Sequence, residues 1–262
     1  MTQVAGQDVL LEVDDSGAGL PAVLFVHSLA GRIGFWKPVL HHVRKRHRAV
    51  AYDQRGHGAS EHGPEAHWTL DDFARDVLAV ADARGLDRFV LVGHSFGATV
   101  AMAAAAMAPE RVLKQVLVDP SGSFAEVTPA SLDEFAASVE GEGGVEMVRD
   151  AYVANLGRAR LPTKAAVISS LAATPRRVVA AGYRALFIAD PSALLARYGG
   201  PVTLITDEEN TSPYSLRAQH PELAVFQMPE VSHWLTLDDP DGFCAILDAV
   251  LAGTHDHPVE PT

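Results

Sequence analysis

Cysteine is almost missing from this chain. Cys244 is the one thiol among 262 residues, so no disulfide can close within it. It falls on the apolar side of a C-terminal helix pattern, the setting of a core thiol rather than a reactive one. Positive charge is also scarce: 21 Lys and Arg stand against 33 Asp and Glu, a net charge of −12. Such a surface repels polyanions, so no nucleic-acid partner is expected. The one basic cluster, Arg44-Lys45-Arg46-His47-Arg48, lies between a helix pattern and a strand pattern and reads as a solvated helix end on the favourable side of the dipole. Long apolar runs are absent. The longest, Val100 to Pro109, is too short to span a bilayer, and the stretch from Met1 to Asp8 lacks the basic and apolar segments of a signal peptide. A soluble, cytoplasmic chain with no membrane partner is the expectation. The pair Gly17-x-Gly19 has no third glycine opening a helix, which excludes a dinucleotide fingerprint. His41-His42 and His255-x-His257 lack the convergent ligand set of a zinc site. No metal and no cofactor are expected.

What the chain does contain is ordinary globular material, 48% hydrophobic and 21% charged. Its length suits one or two domains. Continuous apolar runs at 22–26, 49–52 and 89–92 read as buried strands, Gln115-Val116-Leu117-Val118 reads as the next parallel strand, and 8–13 reads as an edge strand closed by a turn through 14–19. Between them come helix patterns at 35–46 and after the capping box Thr69-Leu70-Asp71-Asp72, whose apolar face includes Phe73 and Val77. Strands and helices alternating at this spacing give a right-handed, doubly wound, mostly parallel sheet. The rhythm stops at Ser121. Four helical patterns follow one another at 128–139, 144–156, 163–172 and 175–188 before strands return at 201–205 and 223–228, with a last helix at 239–251.

One stretch organises the rest. The run Phe89 to Val92 leads into Gly93-His94-Ser95-Phe96-Gly97, a G-x-S-x-G, and then into a strong helix former at nearly every position. A strand feeding a helix through so tight a turn holds the serine in a strained conformation, with glycine on either side to avoid clashes. The Ser95 hydroxyl is lifted above the sheet edge, and the Phe96 N–H points where an oxyanion would sit.

On this motif in its strand–elbow–helix setting the sequence resembles the α/β-hydrolase fold family. The octet Asp53-Gln54-Arg55-Gly56-His57-Gly58-Ala59-Ser60 matches that family's D-x-R-G-x-G-x-S loop, and the surroundings of Val231-Ser232-His233-Trp234 resemble its histidine loop. The resemblance implies an α/β core with an eight-stranded sheet and helices on both faces, over 1–120 and 200–253. It also implies a helical cap inserted after strand 6, over 121–199, and leaves 254–262 as a flexible tail. Met147, Tyr152 and Phe187 are the cap residues expected to touch a pocket.

The same resemblance supplies site roles. His233 is the general base. The second oxyanion donor is the Leu29 N–H, in a His27-Ser28-Leu29 loop where the family has glycine and this chain has Ser28. Asp53 and His57 are structural, because in the family the acid follows the serine in the chain. The acid itself departs from pattern: where the family reads Gly-x-x-Asp-x-x-Pro, this chain has Asp207-Glu208-Glu209-Asn210-Thr211-Ser212-Pro213, with Asn210 in the acid's place. Asp119, at the end of the sixth strand, is the assigned acid, with Glu209 and Asn210 as alternatives. The implied activity is cleavage of a small-molecule ester or lactone through an acyl-enzyme, by a monomer or homodimer. C–C bond hydrolysis, perhydrolysis, cofactor-free oxygenation and non-catalytic binding of a small molecule are the alternatives on the same fold.

Overall fold

The sheet grows from runs with no polar face to turn outward. The computed structural model describes residues 1–64, 67–124, 126–208, 210 and 212–253. The chain forms β1 (Thr2–Ala5), β2 (Leu10–Ser16), β3 (Ala22–Val26), a 3-10 turn at Ile33–Trp36, α1 (Lys37–Val43), β4 (Ala49–Tyr52), α2 (Leu70–Ala83), β5 (Phe89–His94), α3 (Phe96–Met107) and β6 (Val112–Val118). The helices α4 (Pro129–Glu140), α5 (Gly144–Leu156), α6 (Leu161–Ala173), α7 (Arg176–Ile188) and α8 (Pro191–Tyr198) follow. The chain then closes with β7 (Val202–Asp207), α9 (Leu216–Gln219), β8 (Ala224–Met228), α10 (Leu235–Asp238) and α11 (Pro240–Ala252).

The strands form one eight-stranded sheet in the order β1-β2-β4-β3-β5-β6-β7-β8. The pairs involving β2 are antiparallel and the rest parallel. Every residue of β3, β4 and β5 is buried, and alternate side chains feed two cores. Leu24, Val26 and Leu91 pack with Phe73, Val77 and Phe96 from α2 and α3. Val23, Phe25, Val90 and Val92 pack with Trp36, Leu40, Phe243 and Leu247 on the other face, where α1 and α11 lie together. From β3 the chain steps to β4 on one side and then to β5 on the other. That reversal opens a crevice at the carboxyl ends of β3 and β5, the place where doubly wound sheets bind ligands.

Several elements differ from the sequence expectation, the short helices α9 and α10 among them. β2 runs through Ser16 instead of turning at Asp14, and β1, outside it, is the edge. Asp14 and Asp15 are held in the strand by Arg44 at 2.8 Å and Arg48 at 2.6 Å, so both ends of the basic cluster are paired rather than solvated. The helix expected from residue 35 starts as an α-helix only at Lys37, after the 3-10 turn. A helix begun earlier would bring Pro38 inside, where its ring meets the carbonyl of Gly34. Helix α8 was not expected at all. It packs on α3, with the Tyr198 hydroxyl donating to Val112 O at 3.0 Å. The expected tail, 254–262, lies outside the described residues. No single helix among the described residues is long and apolar enough to cross a membrane.

Candidate active site

The crevice contains Ser95, held by the elbow. Its backbone sits at φ 54° and ψ −120°, a conformation that costs a non-glycine residue about 1–3 kcal/mol. The neighbours leave no alternative. A Cβ on Gly93 would lie 2.3 Å from Gly97 O, and one on Gly97 would lie 2.4 Å from both Val26 O and His27 O. The Ser95 N–H donates to Val118 O at 2.9 Å, which ties the elbow to β6.

The end of β6 brings in Asp119, itself at φ 42°. Its Oδ2 lies 2.5 Å from His233 Nδ1, and its Oδ1 accepts from the Asn210 amide at 2.8 Å. Asp119 is 3% exposed. Burial would raise its carboxyl, but the hydrogen bonds from His233 and Asn210 and the neighbouring histidine charge outweigh it and hold the group below its ordinary value. Asp119 is therefore a carboxylate, and Nδ1 of His233 carries the proton between them, leaving Nε2 as the basic nitrogen. Asn210 reaches His233 only through Asp119. Glu209 lies outside the described residues.

The loop carrying His233 is pinned from two directions. Ser232 donates from both N and Oγ to Asp238 Oδ2, at 2.8 and 2.6 Å, and the buried His94 Nε2 lies 2.7 Å from His233 O. Burial, reinforced by the adjacent His233, pushes His94 down to about 3. It is a neutral donor to that carbonyl.

Leu29 and Phe96 are backbone neighbours of the same crevice. Neither N–H donates to a backbone acceptor outside the regular elements among the described residues. Peptide 29–30 is bonded at both ends. The Leu29 carbonyl accepts from the Tyr152 hydroxyl at 2.9 Å, and the Ala30 N–H donates to His57 Nε2 at 3.0 Å. The Ala30 carbonyl accepts from Ser170 Oγ at 2.6 Å. Burial raises Tyr152 well above its ordinary value, so it stays a donor. Helices α5 and α6 thus grip the loop that presents the Leu29 N–H.

The Asp53–Ser60 octet works beneath that loop. Asp53 accepts from Ile33 N at 2.6 Å and Ala59 N at 2.8 Å, while Arg55 forms a buried two-bond pair with Asp76 at 2.7 and 2.8 Å. Burial, with His27 close by, drives His57 down to about 3. Burial also drives His27 down to about 4. His27 Nε2 accepts from Gln54 N at 3.0 Å. Both rings are neutral struts.

Ser95, His233, Leu29 and Phe96 all line one cavity of about 210 Å³, walled by Tyr152 and Phe187 among others. Met147, expected beside them, is instead 38% exposed on α5. A second serine–histidine–carboxylate chain exists: Ser192 Oγ to His220 Nε2 at 2.8 Å and His220 Nδ1 to Glu222 at 2.9 Å. Ser192 is exposed in the first turn of α8 and Glu222 is 64% exposed, so water competes for every bond in it. Among the described residues no cluster of three or more His, Cys, Asp or Glu side chains is placed to hold a metal.

Residues 21–240, which carry the elbow and the Asp119–His233 pair, match the family model of the alpha/beta hydrolase fold. The chain belongs to that family. It is 28% identical over 243 residues to 3-oxoadipate enol-lactonase 1 of Acinetobacter baylyi, covering 86% of each protein. A thermophilic esterase from Thermogutta terrifontis superposes with a TM-score of 0.83 at 21% identity, over 96% of this chain and 97% of the other. The enol-lactonase of Burkholderia xenovorans superposes with a TM-score of 0.81 at 22% identity, over 96% and 100%. At these identities the two structures speak for the fold.

Within this α/β-hydrolase fold, sequence reasoning missed the supporting residues. His94 occupies the x of G-x-S-x-G, which the motif leaves free. Asn210 appeared only as a rival to the acid, although it is bonded to it. Tyr152 was expected as a pocket wall, and its hydroxyl carried no sign of a bond 123 residues away in the chain.

Proposed function

We propose that this α/β-hydrolase-fold protein is a serine hydrolase that cleaves a small carboxylic ester or lactone through an acyl-enzyme. One observation carries the reading: a strained serine and a histidine bonded to a buried carboxylate line one cavity, together with Leu29 and Phe96. Ser95 Oγ attacks the substrate carbonyl while His233 Nε2 takes its proton, and Asp119 holds the ring by Nδ1–H and stabilises the imidazolium. The N–H groups of Leu29 and Phe96 take the tetrahedral oxyanion, and loss of one such donor costs about 10²–10³ in rate. As the intermediate collapses, the imidazolium returns its proton to the departing alcohol. Water, deprotonated by His233, then releases the acid and restores Ser95. Helices α4 to α7 act as a cap that excludes bulk water. The enol-lactonase and esterase named above are consistent with acyl chemistry on this scaffold.

A fluorophosphonate probe tests the reading. It is expected to add one label, mapping to the peptide that contains Ser95, and none to Ser95→Ala. An unlabelled wild-type protein, otherwise folded, counts against a nucleophilic serine.

A further inference from the structure

The crevice is two compartments, the smaller with more aromatic and aliphatic side chains and the larger with more polar ones, and their order around the reacting atoms sorts the two halves of a substrate. The cavity containing Ser95 is the smaller, about 210 Å³, and Tyr183, Leu186, Phe187 and Trp234 are among its walls. Beside it lies a cavity of about 530 Å³ lined by Arg158, Asp207, Asn210, Ser212 and Ser215. Ser121, Phe124, Asn155 and His233 line both. Phe124 is held at the boundary, stacked on Tyr214 at 5.3 Å and 14° and edge-on to Phe187 at 4.8 Å.

Resting on the serine-hydrolase reading, the geometry fixes which half goes where. The carbonyl carbon bonds to Ser95 Oγ, and the oxyanion turns toward Leu29 and Phe96, both in the smaller cavity. The bond that breaks is between this carbon and the leaving oxygen, which takes the electron pair and then the proton from His233 Nε2. That oxygen must therefore lie toward His233, at the boundary, with its substituent in the larger, polar cavity. The acyl chain stays in the apolar one. At about 30 Å³ per water-sized group, 210 Å³ holds about seven non-hydrogen atoms. We infer that the substrate is an ester of a short apolar acyl group, about six carbons at most, with a hydrophilic alcohol.

Two substrate series test this on the intact protein. With p-nitrophenyl esters, kcat/KM is expected to fall at least ~100-fold between butyrate and decanoate, because the chain beyond the cavity meets the Phe187 wall. Phe187→Ala is expected to move the cut-off to longer chains, and Leu186→Ala to do the same if the first variant misfolds. With butyrate esters, glycerol is expected to be preferred over 1-hexanol by about 10-fold or more. Turnover that is flat in acyl length, or that favours the hexyl ester, overturns the two-compartment assignment while leaving the serine mechanism intact. No turnover of any ester together with no fluorophosphonate label overturns the mechanism and this inference with it.

Discussion

Asp119 is where the chemistry of the site is set residue by residue. Its two oxygens divide the work: one holds His233 at 2.5 Å and the other takes the Asn210 amide at 2.8 Å. Asp119→Asn keeps the volume but favours the wrong imidazole tautomer. Steady-state kinetics should show kcat reduced by about 10³–10⁴ with KM little changed. Asn210→Ala removes one hydrogen bond to that carboxylate but leaves the bond to His233 in place, and should cost far less. Asn210→Asp should be worse than Asn210→Ala, since it sets a second carboxylate at hydrogen-bond distance from the first and raises one of the two. An Asn210→Asp variant as active as wild type would mean that the new carboxylate has taken over the ring. Ser95 and His233 stand out as candidates in the sequence because each sits in a short motif. The support of Asp119 by Asn210 does not, because it joins residues 91 apart in the chain and is written in no local pattern.

Among the elements, α5 and α6 do more than cover the crevice. They reach down to two successive carbonyls, Leu29 through Tyr152 at 2.9 Å and Ala30 through Ser170 at 2.6 Å. Helix α7 comes close enough that a Cβ on Gly182 would lie 2.3 Å from Leu29 Cδ1. Tyr152→Phe keeps the ring packing and removes only the bond to the Leu29 carbonyl. It should lower kcat by about 10-fold, the scale of one hydrogen bond of about 1–1.5 kcal/mol, with KM unchanged; a rise in KM alone would make Tyr152 a substrate contact instead. The periodicity of α2, α5 and α7 could be read from sequence. The edge at β1 and the helix α8 were hidden for physical reasons. Asp14 and Asp15 look like turn residues until Arg44 and Arg48 are seen beside them. Asp190-Pro191 and Gly199 do bracket α8 as cap and stop, but its eight residues give too short a period to stand out.

At the scale of the molecule, three buried histidines make the fold sensitive to acid. His27, His57 and His94 are held by burial at about 4, 3 and 3, while an unfolded chain protonates at about 6.5. Below pH 6.5 the unfolded state binds protons that the native state refuses, so stability falls as pH drops and levels off only near the native values. Urea unfolding at pH 5 should show uptake of about three protons from these groups. Asp53 and Asp76, raised by burial, titrate in the opposite sense and offset part of the slope. Unfolding free energy that is constant from pH 7 to 5 would mean that these rings are charged in the native state.

A covalent acyl bond to Ser95 is the step on which the serine mechanism depends, and that bond can be weighed. The protein mixed with p-nitrophenyl butyrate and quenched in acid on the millisecond scale should show, by intact mass, a species heavier by one butyryl group. The adduct should map to Ser95, accumulate in step with a burst of p-nitrophenol, and be absent from Ser95→Ala. Turnover of the ester with no acyl-protein at any quench time, or with the adduct undiminished in Ser95→Ala, would contradict it.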